Sequence, residues 1–190
     1  MIIGVINIKG GVGKTTSSLA IATAAQRSGL SVTVVDTDPQ GSATLWAQAA
    51  EDADDPLPFP VVSRNQAEIR RMRERRPDRN GELIVIDTPP NGTVVDEAIK
   101  TADFVVIPTL SSPIDLQQTM LTAAQCQDAG KDYAVLIVMA RKGTNALRAF
   151  RTAVEEYGAG IFDTEIPLRE DFKADFGHTF RSNLNGYEDV

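Results

Sequence analysis

Lys9-Gly10-Gly11-Val12-Gly13-Lys14-Thr15-Thr16 follows an apolar run at residues 2–8 and leads into a helix-forming stretch at residues 15–28. Strand, glycine loop and helix in that order are what a phosphate cradle requires. Glycines let the backbone turn its N–H groups inward without Cβ clashes, and a helix N-terminus attracts negative charge. Gly13-Lys14-Thr15 completes the end of the general phosphate-loop pattern G-x-x-x-x-G-K-[ST]. In that pattern the lysine neutralises the β- and γ-phosphates and the hydroxyl ligates Mg²⁺. Lys14 and Thr15 are assigned these roles, and Gly10, Gly11, Val12, Gly13 and Thr16 the rest of the phosphate cradle. The loop departs from the pattern in one informative way: Ile8 stands where the first glycine belongs, and a further lysine, Lys9, opens the loop. Glycine turns between strand and helix are also common as plain joints, but both lysines and both threonines together favour a phosphate site.

Outward from this loop, short Val- and Ile-rich runs alternate with longer amphipathic segments. That pattern is expected when strands buried on both faces alternate with crossover helices. Strands are predicted at residues 2–8, 31–36, 83–87, 104–108, 134–139 and 161–166, and helices at 15–28, 64–76, 94–101, 116–128 and 146–157. Gly29, Gly130 and Gly158 stand where such helices end. The fold class is therefore α/β, a doubly wound and mainly parallel sheet with helices on both faces, in a single domain over residues 1–190. Residues 51–60, acidic and carrying three prolines, read as a solvated excursion, and residues 175–190 as a weakly patterned tail.

Two acidic stretches accompany the loop. Val34-Val35-Asp36-Thr37-Asp38-Pro39-Gln40-Gly41 places carboxylates at the C-terminal edge of the sheet, beside the phosphate loop. Leu83-Ile84-Val85-Ile86-Asp87-Thr88-Pro89-Pro90 is an apolar strand ending in an acid. A strand-end aspartate is often only a turn or cap residue; the order of the three stretches favours a metal role for Asp87.

Composition bounds the function. With 190 residues and 42% apolar content the chain can bury a substantial core. A net charge of -7 means that any contact with nucleic acid must come from a local basic cluster. Cys126 is the only cysteine, which excludes an internal disulfide framework and a thiolate metal cluster. The lone His178 has no second ligand at metal spacing. No apolar run approaches the ~20 residues that span a bilayer, so a cytoplasmic, soluble protein is expected.

The string opened by Lys9 resembles the deviant Walker A motif, KGGxGKT[ST], of the P-loop ATPase family that includes ParA, MinD, the nitrogenase iron protein and the arsenite-pump ATPase. The resemblance extends over roughly residues 1–175, since the acidic stretches match the family's D-x-D-P-Q-G and Walker B elements. It implies ATP and Mg²⁺ as cofactors, ATP hydrolysis, and a nucleotide sandwich dimer in which Lys9 reaches the phosphates of the opposite subunit. Asp38 is expected to orient the attacking water and to stand with Thr15 and Asp87 in the metal shell, where Asp36 assists. The base pocket in such proteins is built from a late strand end and the loop after the last strand, here Met139-Ala140-Arg141-Lys142 and Pro167-Leu168-Arg169. Met139, Pro167 and Leu168 are the residues named for it. Many relatives carry an Asn near that strand end where this chain has Met139-Ala140-Arg141, so adenine recognition rests on the resemblance.

Within the family, a single cysteine disfavours the nitrogenase and arsenite branches. The acidic, glycine-broken end from Phe180 to Val190 disfavours the basic membrane helix of MinD-like proteins. Ser112-Pro113-Ile114-Asp115-Leu116 resembles the corresponding part of ParA and leads to a helix expected near the dimer interface. The absence of residues before the first strand points to the short ParA type without an N-terminal operator-binding domain. That type partitions DNA cargo: it binds DNA without sequence preference when ATP-bound, so that it associates with the nucleoid, and works with a ParB-like centromere-binding protein. Arg64, Arg70, Arg71, Arg73, Arg75, Arg76 and Arg79 form the basic cluster that could meet phosphates, with Arg70, Arg71, Arg75 and Arg76 as the named contacts. The bland alternative is a solvated face paired with Glu68 and Glu74. A second function class, a MinD-like protein-positioning ATPase that acts without DNA, stays open.

Overall fold

The computed structural model describes residues 1–74, 81–169, 175–181 and 183–190. Six strands, β1 (Ile2–Val5), β2 (Ser31–Asp36), β3 (Val61–Ser63), β4 (Glu82–Asp87), β5 (Phe104–Thr109) and β6 (Asp132–Ile137), form one sheet. Its order is β3-β2-β4-β1-β5-β6, and every pairing is parallel. Helices α1 (Lys14–Arg27), α2 (Ser42–Asp52), α3 (Gln66–Glu74), α4 (Thr93–Thr101), α5 (Pro113–Asp128) and α6 (Asn145–Glu156) make the crossovers and cover both faces. The expected doubly wound α/β class is what forms.

Strand periodicity decides which side chain enters which layer. Leu83 and Val85 of β4 pack with Leu19 of α1 and Trp46 of α2. Ile84 and Ile86, one step out of phase, pack with Ile69 of α3, Val95 and Ile99 of α4 and Ala123 of α5. Winding runs first from β1 outward to β2 and β3, then returns through β4 and proceeds to β5 and β6. The reversal lies at β1 and β4, so the loop after β1 opens at the crevice where such sheets bind ligands.

Several details differ from the expectations. The segment 161–166 is not a full strand: Ile161 and Pro167 bridge Val135 and Ala140. Between those bridges Arg151 of α6 collects the Phe162 carbonyl at 3.1 Å and the Glu165 carboxylate at 3.1 Å, which bows the chain off the sheet edge. Helix α2 and the short edge strand β3 also form where no element was predicted. The arginine-rich helix starts at Gln66, two residues later than expected, and is described to Glu74, with residues 75 and 76 of the predicted span outside the described residues. Its N-terminus is closed by Asn65 and Glu68, each accepting the other's N–H.

The tail is the largest difference. Phe180, Leu184 and Tyr187 are buried in the core beside Leu19 and Trp46. Ser17 and Tyr187 share a hydroxyl hydrogen bond of 2.8 Å. The Trp46 indole N–H donates to the His178 carbonyl at 3.0 Å, and its ring lies 5.4 Å from Phe176 and 5.3 Å from Phe180. Sparse apolar residues suffice here because each reaches a pocket already shaped by α1 and α2.

Candidate functional site

Gly13 stands at the N-cap of α1 in the left-handed region, φ 76°, and Gly11 has φ 75°. These angles are costly for residues with a Cβ, which explains glycine at both positions. The loop and α1 bring Gly10, Gly11, Gly13, Lys14, Thr15 and Thr16 around a cleft of about 470 Å³ with Asp38 and Met139 on its walls. Val12 is buried in the core, so only its backbone can serve a ligand. Ser42, Trp46, Pro90 and Phe176 complete the lining.

Asp87, fully buried at the end of β4, accepts the Thr15 hydroxyl at 2.8 Å and the Ser18 hydroxyl at 3.0 Å. Burial pushes its carboxyl up to about 7, against these hydrogen bonds and the Lys14 charge, with Asp36 adding to the rise. Lys14 is itself buried, and that burial lowers its ammonium pKa while Asp87 and Asp38 push it back up. Its Nζ donates to the Lys9 carbonyl at 2.8 Å. Site and charge thus oppose each other, a pattern typical of functional positions.

Asp38 is half-buried on the cleft wall and accepts the Gln40 N–H at 2.9 Å. Asp36 behaves differently. Its carboxylate accepts the Thr44 N–H at 2.9 Å, the Thr44 hydroxyl at 2.8 Å and the Asp38 N–H at 3.1 Å. Those bonds give Asp36 the turn and cap work, holding the first turn of α2 against β2. Lys9 turns away from the cleft to an ion pair with Asp115 at the start of α5.

A second, smaller pocket of about 100 Å³ adjoins the cleft and gathers Gly13, Thr16, Met139, Pro167 and Leu168, with Arg169 and Tyr187. Met139 adopts φ 51°, a left-handed conformation that costs a non-glycine residue about 1–2 kcal/mol. It lines both spaces. Sequence reasoning missed Trp46, Phe176, Tyr187 and Ser18. Trp46 and Phe176 lay in stretches with no predicted element, and Ser18 carried a signal only as the residue one turn after Lys14.

Among the four named arginines, Arg75 and Arg76 lie outside the described residues. Arg70 pairs with Glu74 at 3.1 Å, and the neighbouring Arg64 and Arg73 pair with Glu68 at 3.7 Å and Glu97 at 3.2 Å. Because α3 starts just after the C-terminal end of β3, it runs back toward the opposite edge of the sheet, away from the cleft.

A parallel sheet with its glycine loop at the reversal point, a buried lysine at the helix start, and a hydroxyl–carboxylate pair beneath them define a P-loop nucleotide hydrolase. The chain belongs to the CobQ/CobB/MinD/ParA nucleotide binding domain family, whose model matches residues 3–179, and it is a ParA/MinD-type ATPase. It is 34% identical over 170 residues to Maintenance of carboxysome distribution protein A of Gloeobacter kilaueensis, with 87% of this chain and 76% of that protein covered. The protein of the same name from Halothiobacillus neapolitanus is 30% identical over 175 residues, covering 88% and 79%. The fold is shared with a Cyanothece McdA variant solved in complex with ATP, at a TM-score of 0.76 and 16% identity over 99% of this chain and 94% of that one. Among the described residues no helix is long and apolar enough to cross a membrane.

Proposed function

We propose that this chain is an ATP-switched positioning ATPase: Mg-ATP pairs two copies face to face, the pair holds a DNA carrier surface, and hydrolysis releases it. The observation that carries this reading is the division of labour between two lysines on one loop. Lys14 is buried at the base of the cleft, whereas Lys9, at the other end of the loop, has a side chain that keeps 29% of its surface exposed. A lysine serving only its own nucleotide would need no such second copy.

ATP with Mg²⁺ fits the donor set. Mg²⁺ is typically held by one or two carboxylates with substrate phosphates and water, and Thr15 with Asp87 supplies a hydroxyl and a carboxylate 2.8 Å apart. A cation there supplies charge neutralisation at the transferring phosphoryl group. Lys14 and the loop N–H groups bind and orient the phosphates, and Asp38 positions the attacking water. In-line positioning and electrostatics account for most of phosphoryl-transfer catalysis. Met139, Pro167 and Leu168 offer an apolar slot for the base, edged by Arg169.

Two cargo classes are compatible with this switch: DNA held by a ParB-like centromere-binding protein, and a protein assembly. Similarity to carboxysome distribution proteins favours the protein assembly as cargo, with non-specific DNA as the track and the nucleoid as its location. ATP-dependent binding to mixed-sequence duplex tests the track. Log affinity should fall with log salt by about 0.9 per phosphate contact. Replacing Arg70, Arg71, Arg75 and Arg76 with Ala should flatten that slope while leaving pairing intact. An unchanged slope moves the DNA surface elsewhere, and no ATP-dependent binding by the unsubstituted protein rejects the DNA track.

Lys9→Ala tests the pairing itself. The variant should bind ATP within a few-fold of the unsubstituted protein, because Lys14 remains, yet stay monomeric and inactive in hydrolysis. Sedimentation of Lys9→Ala in ATP as a dimer of normal stability would refute the sandwich arrangement.

A further inference from the structure

Both the backbone and the ammonium of Lys9 are engaged within its own subunit. Its N–H donates to Asn7 Oδ1 at 2.9 Å, its carbonyl accepts the Lys14 ammonium at 2.8 Å, and its own ammonium is paired with Asp115 Oδ1. The Asp115 side chain is 2% exposed. The other carboxylate oxygen, Oδ2, accepts the Ser112 N–H at 3.2 Å and the Ser112 hydroxyl, while the Asp115 N–H donates back to Ser112 Oγ at 3.3 Å. This is a capping box at the start of α5, and such a box needs only one acceptor from the residue at its third position.

The second oxygen is surplus to helix capping and is spent on Lys9. Burial works against the Asp115 carboxylate, but the Lys9 ammonium and the Ser112 groups more than offset it and hold the carboxyl below its usual range. A second tie between the same two elements, the Ile8 N–H donating to Thr122 Oγ1 at 3.3 Å, keeps α5 against the loop. A lysine bonded here cannot at the same time reach phosphates on another subunit.

We propose that Asp115 is a positioning residue that parks Lys9 on its own subunit and so sets the threshold at which ATP pairs two copies. This rests on the pairing role given to Lys9 above. Only the fraction of chains with Lys9 released can pair, and apparent affinity falls by that fraction. A charge-assisted hydrogen bond, partly exposed on the lysine side, holds the parked state by roughly tenfold. A symmetric pair must release two lysines, so the apparent dimer dissociation constant is raised on the order of a hundredfold.

The test is sedimentation equilibrium of the full chain with Mg²⁺ and a non-hydrolysable ATP analogue. Asp115→Asn keeps an oxygen for the capping box and turns a non-accepting amide toward Lys9. It should tighten the dimer by about 10- to 100-fold, and Asp115→Glu, which restores the carboxylate, should return the constant toward that of the unsubstituted protein. A purely structural role for Asp115 predicts the opposite sign, weaker pairing with a lower Tm. In a Lys9→Met background the Asp115→Asn change should have no effect on association. If the unsubstituted protein pairs and Asp115→Asn pairs no more tightly, parking is overturned and the sandwich survives. If neither pairs, the pairing role of Lys9 falls and parking falls with it.

Discussion

Lys14→Ala is expected to lose ATP binding by about 10²- to 10⁴-fold, the equivalent of two charge-assisted phosphate contacts at about 1.5–3 kcal/mol each. The empty protein should melt no lower than before. Both halves follow from the same burial. Lys14 is only 7% exposed, and desolvation lowers its pKa despite the countering charges of Asp87 and Asp38. For a lysine the sign is clear: a lowered folded-state pKa means that folding disfavours the charged form, so at neutral pH the side chain detracts from stability until phosphate arrives. Alanine removes that cost together with the hydrogen bond to the Lys9 carbonyl. Calorimetry with ATP and a thermal melt of the empty protein check the two halves, and unchanged ATP affinity would mean that the loop after β1 is not the phosphate site.

Asp38→Ala should give the opposite phenotype, an ATP-loaded dimer that accumulates because turnover falls by about 10²- to 10³-fold. The carboxylate stands on the cleft wall with Lys14 within its electrostatic reach, and no direct bond to the loop is needed for ATP to bind. Since Asp38 also accepts the Gln40 N–H at 2.9 Å, Asp38→Asn is the companion variant. Asparagine keeps that acceptor and loses the charge, so slow turnover in both variants assigns the effect to the carboxylate rather than to the turn. Hydrolysis at the unsubstituted rate in either variant removes Asp38 from the reaction. Lys14→Ala and Asp38→Ala thus separate binding from chemistry within one cleft.

Legibility of the site followed sequence distance. Gly10 to Thr16 could be read because their requirement is local: a backbone with φ near 75° at Gly11 and Gly13 admits little but glycine, and a lysine and threonine must follow at once. Helix α2 was missed because its buried face consists of Ala43, Trp46 and Ala50, one large apolar residue between two alanines, which gives weak contrast with an outer face that also carries alanine and leucine. Strand β3 is three residues long with two half-buried valines, too short to show a period. At residues 161–166 the apolar ends suggested a strand, but Arg151 drew the polar middle away from the sheet.

By itself the sequence determined the fold class and the phosphate-loop pattern, and it singled out Lys9, Asp38 and Asp87 as candidates, since each reading depends on residues adjacent in the chain or on a strand period. Only the tertiary structure decided what those groups face. Asp36 became a cap for α2 because Thr44 comes back beneath it. The tail became part of the core because Tyr187 meets Ser17 across 170 positions. Lys9 met Asp115 across 106 positions. Contacts at such separations are set by which strands the crossovers place side by side, and the order β4-β1-β5 at the centre of the sheet is a property of packed layers that no local run of residues encodes.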